Sequence, residues 1–308
     1  MQKTSVRVAY GRAVAALALG MNLAALSGCG SGQTQTTPVR EVTPPLNGNW
    51  WITGDMPAIP GNLSSEKFGM AATFDVVDGT IYTSLTDFYP CGNTAVGGGG
   101  GIAPAPLNTD RSFTLQTANG NVQSTVQLTV KAVSPATAGQ SWSGSFSGTN
   151  ANPGCTPVQG SFTATPIAPF NGTFSGTGSM GPENTNLQPP DPNLLKQLTV
   201  ALTLTQGGPA SLDAKSTVAF VNSVNSLTGT VSVTGSPCFT TGTTGSVQSG
   251  VAGNNFNLTF TMDDGSMLHV MGYAPDPTLG SLILSSATVT GGNCDKWIGL
   301  SQTSLTKQ

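Results

Sequence analysis

Charge is scarce in this chain: only 8% of its 308 residues are Asp, Glu, Lys or Arg, and the formal net charge is -3. That excludes the basic patches with which proteins grip nucleic acid and the charge runs that attract polyelectrolytes. Histidine is scarcer still. His269 stands alone, and no cysteine pair has the short spacing of a zinc knuckle, so no metal-binding set is expected. No Gly-x-Ser-x-Gly elbow occurs, and a catalytic triad is not expected either. After residue 30 no apolar 3.6-residue period lasts beyond two turns, which removes helix as a major component.

Glycine, with 40 residues, and proline, with 21, punctuate the chain every few positions. Between them, apolar residues alternate with Ser and Thr, as in Phe113–Gln116, Val126–Val130, Leu198–Leu204, Val231–Thr234 and Phe256–Phe260. A period of two reads as antiparallel strands with one buried face. Asp78-Gly79, Asn119-Gly120 and Asp264-Gly265 fit tight hairpin turns that need positive φ. The pattern predicts roughly fourteen to sixteen strands, too many for one small sandwich. The expected fold class is all-β, as two tandem antiparallel barrels or sandwiches.

The start of the chain differs from everything after it. Lys3, Arg7 and Arg12 precede an alanine- and leucine-rich run from Ala13 to Ala25, the layout of a secretory signal. The run is shorter than the roughly 20 residues a permanent membrane helix needs. It ends in Leu26-Ser27-Gly28-Cys29, which resembles the lipobox of bacterial lipoproteins. The resemblance implies cleavage before Cys29, diacylation of its thiol and an anchor in a membrane. Several acyl chains at one terminus hold a protein stably, whereas one holds it marginally. Gly30 stands where inner-membrane retention in this family would have Asp, so outer-membrane delivery is the implied destination. Removing residues 1–28 takes the formal charge from -3 to -6, because those three cations leave. Residues 29–46 are polar and proline-bearing, and read as a flexible tether.

Two β-rich units follow, 47–169 and 170–308, related by an internal repeat. Asn47-Gly-Asn-Trp-Trp-Ile-Thr-Gly54 matches Asn171-Gly-Thr-Phe-Ser-Gly176. A strand running into Pro-Cys91 matches one running into Pro-Cys238, and the strands before Cys155 and Cys294 correspond. This order suggests disulfides Cys91–Cys155 and Cys238–Cys294, although four cysteines permit three pairings. Export favours such bonds, each stabilising by roughly 4 kcal/mol in the chain-entropy picture. Gly48-Asn49-Trp50 is also similar to the Gly-x-Trp opening of lipocalin-type barrels, where the tryptophan plugs one end.

Other candidate chemistry is thin. Gly176-Thr-Gly-Ser-Met-Gly181 has the dinucleotide-binding spacing, but prolines follow where a helix is needed, and a glycine-rich turn is the better reading. Val96–Gly101 lacks the Lys-Ser/Thr ending of a phosphate loop. No cofactor is expected. Asp263 with Asp264, or Asp75 with Asp78, would supply paired carboxylates for glycan hydrolysis, yet such residues at hairpin ends are usually turn formers. Trp50 and Trp51 are consecutive on one strand, so one points in and the other out as a possible contact surface. The expectation is a non-enzymatic binding or structural lipoprotein. Its partners would be the membrane and a small apolar ligand, a glycan or another protein.

Overall fold

The computed structural model describes residues 44–55, 67–87, 102–116, 126–150, 158–183, 194–209, 224–244 and 249–308. Cys29, Cys91, Cys155 and the Asn119-Gly120 turn lie outside these residues. The described residues are all-β and form two sheets, each closing on itself as a barrel.

The first sheet contains β1 (Gly48–Asp55), β2 (Lys67–Val77), β3 (Thr80–Asp87), β4 (Ala105–Pro106), β5 (Ser112–Gln116), β6 (Val126–Val133), β7 (Trp142–Asn150) and β8 (Val158–Pro166). Their order is β4-β3-β2-β1-β8-β7-β6-β5, an up-and-down meander in which β8 returns to β1. The segment through β4 seals the remaining gap. Pro106 and Ala105 pair with Thr80 and Ile81 on one side, while the Ala103 and Asn108 amides donate to Gln116 and Ser112 carbonyls on the other. Asp78 and Gly79 form the two-residue turn between β2 and β3, with φ of 50° and 74°, as a hairpin of that length requires.

The second sheet holds β9 (Gly172–Pro182), β10 (Lys196–Pro209), β11 (Asn225–Thr234), β12 (Thr241–Thr244), β13 (Gly250–Ala252), β14 (Asn255–Met262), β15 (Met267–Tyr273), β16 (Ser281–Thr290), β17 (Trp297–Gly299) and β18 (Thr303–Lys307). Both β12 and β13 lie between β11 and β14, and both β17 and β18 lie between β16 and β9. Each such pair is one broken stave. The ten strands therefore make eight staves, and the β9–β10 pairing closes the ring.

The glycines at 176, 178 and 181 lie inside β9, not in a turn as their composition suggested. A Cβ at Gly176 would sit 2.1 Å from the Ser304 carbonyl oxygen, and one at Gly178 would sit 2.3 Å from the Thr303 hydroxyl. Close passage of β18 across β9 demands residues without side chains there, one of the few uses of glycine inside a strand.

The repeat is visible in hydrogen bonds. Leu46-Asn47-Gly48-Asn49-Trp50 and Phe170-Asn171-Gly172-Thr173-Phe174 enter their barrels alike, with φ of 125° at Gly48 and 120° at Gly172. The Asn47 side-chain oxygen accepts from the Val76 amide on β2, and that of Asn171 accepts from the Gln206 amide on β10. One register step inward, Thr73 bonds Asn49 at 2.6 Å and Thr203 bonds Thr173 at 3.0 Å. Leu46, Trp50, Phe170 and Phe174 are all fully buried, so each barrel buries an apolar pair at matching positions of its entry.

The interiors differ in chemistry. The first contains an aromatic cluster, with Trp142 in edge-to-face contact with Trp50, Phe74, Phe113 and Phe162 at centroid distances of 5.5 to 5.7 Å. The second is mainly aliphatic, drawn from the inward residues of alternating strands such as Leu198, Val200, Leu202 and Leu204.

Candidate functional site: outer walls and the seam between barrels

Buried side chains form the cores of both barrels, and the candidate residues other than Trp50 fall on outer walls and strand connections. Trp50 points inward, and its indole N–H donates to the Leu46 carbonyl at 2.8 Å. Trp51 points outward and is half-buried, because it packs against the core cluster of the second barrel together with Ala71, its cross-strand partner. The surface that Trp51 reaches is thus supplied by this same chain. Trp297 also packs against that cluster. Tyr82 is exposed on the outer wall, opposite Asp75.

A buried polar network joins the barrels. Asn49 accepts from the Thr73 hydroxyl at 2.6 Å and from the Asn225 amide group at 3.1 Å, and donates to Gln206 at 3.3 Å. The Thr73 hydroxyl accepts from the Gly253 amide at 2.6 Å. Gln206 also accepts from the Phe170 amide, and the connection between β8 and β9 is pinned by Ile167 donating to the Asn49 carbonyl and Ala168 to the Pro277 carbonyl. Asn49, Thr73 and Asn225 are each at most 4% exposed, and in such surroundings an unmade bond costs more than a made one contributes. Nothing in the local sequence marks these residues. Asn49 and Thr73 lie on the outward faces of β1 and β2, whereas Gln206 and Asn225 keep the inward phase of β10 and β11.

Gly253 is the tightest point of the seam. Its φ is 59°, and a Cβ there would approach the Ala71 carbonyl carbon to 2.8 Å and oxygen to 2.9 Å. Gly253→Ala is expected to lose at least about 1–2 kcal/mol from the backbone conformation alone. It should also split thermal unfolding into two calorimetric transitions; a single transition at the wild-type midpoint would show that the seam does not couple the barrels.

The paired carboxylates are held as turn formers. Asp263 accepts from the Thr240 amide and hydroxyl and from the Thr241 amide, and these bonds hold its carboxyl below the usual carboxylate range. A general acid requires the opposite shift. Asp264 caps its own turn through the Ser266 amide and hydroxyl. Asp75 is pushed upward by burial and accepts from Asn47 at 3.2 Å, while Asp78 forms the φ-positive turn before Gly79.

Asp263 and Asp264 border an open depression of roughly 320 Å³, whose other wall is Ser236–Thr240 and includes Cys238. Cys238 is disulfide-bonded to Cys294, tying the β11–β12 turn to the β16–β17 turn with a Cα–Cα distance of 6.0 Å. His269 lies on the outer face of β15, its Nδ1 3.0 Å from the Thr259 hydroxyl.

No known protein family matches the chain, and no curated protein matches it. Among solved structures, it is similar to a crystal structure of a protein of unknown function from the DUF3598 family of Nostoc punctiforme. The two share 10% identity over 85% of this chain and 96% of that one, with a TM-score of 0.24.

Proposed function

We propose that the chain is an exported lipoprotein, anchored through Cys29 to the outer membrane, whose twin barrels act as a non-enzymatic binding or structural module. The carrying observation is that both barrels have buried apolar cores and share a buried polar seam, while the paired aspartates are spent on turns. A body built in this way holds its shape and presents contacts from its outer walls. The tether would let it stand clear of the headgroups: Leu46 is already buried in the first barrel, so the 15 residues from 29 to 43 remain, and they reach at most about 50 Å when extended.

Expression in a Gram-negative host with labelled palmitate tests the anchor. The wild type is expected to carry label and sediment with outer membranes, and Cys29→Ser to lose the label and leave that fraction. Unchanged partition of an unlabelled variant would overturn the anchor. Incubation with envelope glycans is expected to release no fragments; release that disappears in Asp263→Asn would replace the module with a hydrolase.

A further inference from the structure

The outer wall around β15 is composed almost entirely of hydroxyl and amide side chains. Across from its outward residues stand Asn257, Thr259 and Thr261 on β14, and Ser286, Thr288 and Thr290 on β16. Against that background the outward positions of β15 are Met267, His269 and Met271, followed by Tyr273 at the strand's end, with Leu268 and Val270 between the first three facing the core. Methionine is normally an interior residue, and Met70, Met180 and Met262 are each at most 3% exposed. Met271 is 50% exposed, beside the single histidine of the chain.

The donor set has a definite preference. Thioether sulfur is a soft ligand that selects Cu(I) over hard or borderline ions, and imidazole nitrogen accompanies it readily. His269 is oriented for this role because the Thr259 hydroxyl engages Nδ1, so Nε2 is the nitrogen directed elsewhere. Strand geometry then chooses the second ligand. Outward neighbours on one strand are about 7 Å apart, within joint reach of an imidazole and a thioether on a shared ion, whereas positions four residues apart are about 13 Å apart and too far for both methionines to bind it at once. The Met267 sulfur already accepts weakly from the Thr261 hydroxyl at 3.9 Å. Met271 is the more exposed of the two. No Lys or Arg lies on β14, β15 or β16 to repel a cation.

We propose that the outer face of β15 binds a soft monovalent cation, Cu(I) or its redox-silent analogue Ag(I), between Nε2 of His269 and the sulfur of Met271. Thr259 is the positioning residue. This site is distinct from the cysteine-based zinc sets excluded above, and it goes beyond the module reading without depending on the lipid anchor.

The single histidine makes the test direct, because the full-length chain has one set of imidazole resonances. Silver nitrate is titrated, in chloride-free buffer, into protein whose free thiols have been blocked with a maleimide. One equivalent is expected to move the Nε2 resonance and one methionine methyl together. Met271→Leu should weaken that response by at least the roughly 10–100-fold that even an outer-shell partner is worth, and Thr259→Val by about tenfold. Met267→Leu should leave it unchanged. An imidazole unmoved by silver, an equal response in Met271→Leu, or an equal response to zinc nitrate would each overturn the proposal.

Discussion

Trp142→Ala is expected to destabilise the first barrel by about 3–5 kcal/mol, the range for deleting a large buried aromatic side chain. Trp142 stands on β7 and is 6% exposed, with four aromatic rings meeting it edge to face. Such pairs contribute about 0.5–1.5 kcal/mol each beyond burial, and all four ring contacts are lost together. Trp142→Phe should behave very differently. The indole N–H of Trp142 is buried and has no hydrogen-bond partner among the described residues, and phenylalanine removes that group while keeping a ring in place. Relief of an unmet donor, worth about 1–3 kcal/mol, offsets much of the lost area. Chemical denaturation followed by tryptophan fluorescence would separate the two. Equal losses for both variants would mean that the N–H is satisfied and structurally required.

Opening the Cys238–Cys294 bond by a double substitution to alanine should cost about 4 kcal/mol in the chain-entropy picture. The bond closes a loop with a sequence separation of 56 and ties two turns at one end of the second barrel, and Cys294 is fully buried. The expected result is a lower midpoint for the second barrel, with the unfolding of the first affected only through the seam. A midpoint shift confined to the first barrel would contradict it. Cys91 and Cys155 occupy the matching connections in sequence, between β3 and β4 and between β7 and β8. The same double substitution there tests for a corresponding bond in the first barrel.

The alternation of apolar and hydroxyl residues was enough to place most strands, because a half-buried sheet imposes a period of two on any sequence that forms it. Leu198–Leu204 is such a case, with every second residue buried in β10. The expected fourteen to sixteen strands compare with sixteen staves in eighteen segments among the described residues, the two broken staves accounting for the extra segments. Glycine misled where its reason was tertiary. Gly176 and Gly178 read as a turn by composition, yet they are strand positions emptied so that β18 can pass.

By itself, the sequence determined the all-β class and the twofold repeat; it suggested Cys238–Cys294 as one of three permitted pairings, and the structure decided it. The sequence also carried the expectation of an export signal ending at Cys29. These properties are written in local periods, in recurring landmarks and in one short motif, all of which act between near neighbours in the chain. Only the tertiary structure decided that each unit closes into a packed barrel, that Trp51 faces the second barrel, and that Asn49, Thr73, Gln206, Asn225 and Gly253 meet in one seam. The Asn49–Asn225 contact spans 176 positions, and the amide of Gly253 reaches Thr73 across 180. No local preference encodes such a pairing: a buried amide acquires its partners from the surface that covers it, and that surface exists only once both barrels have formed.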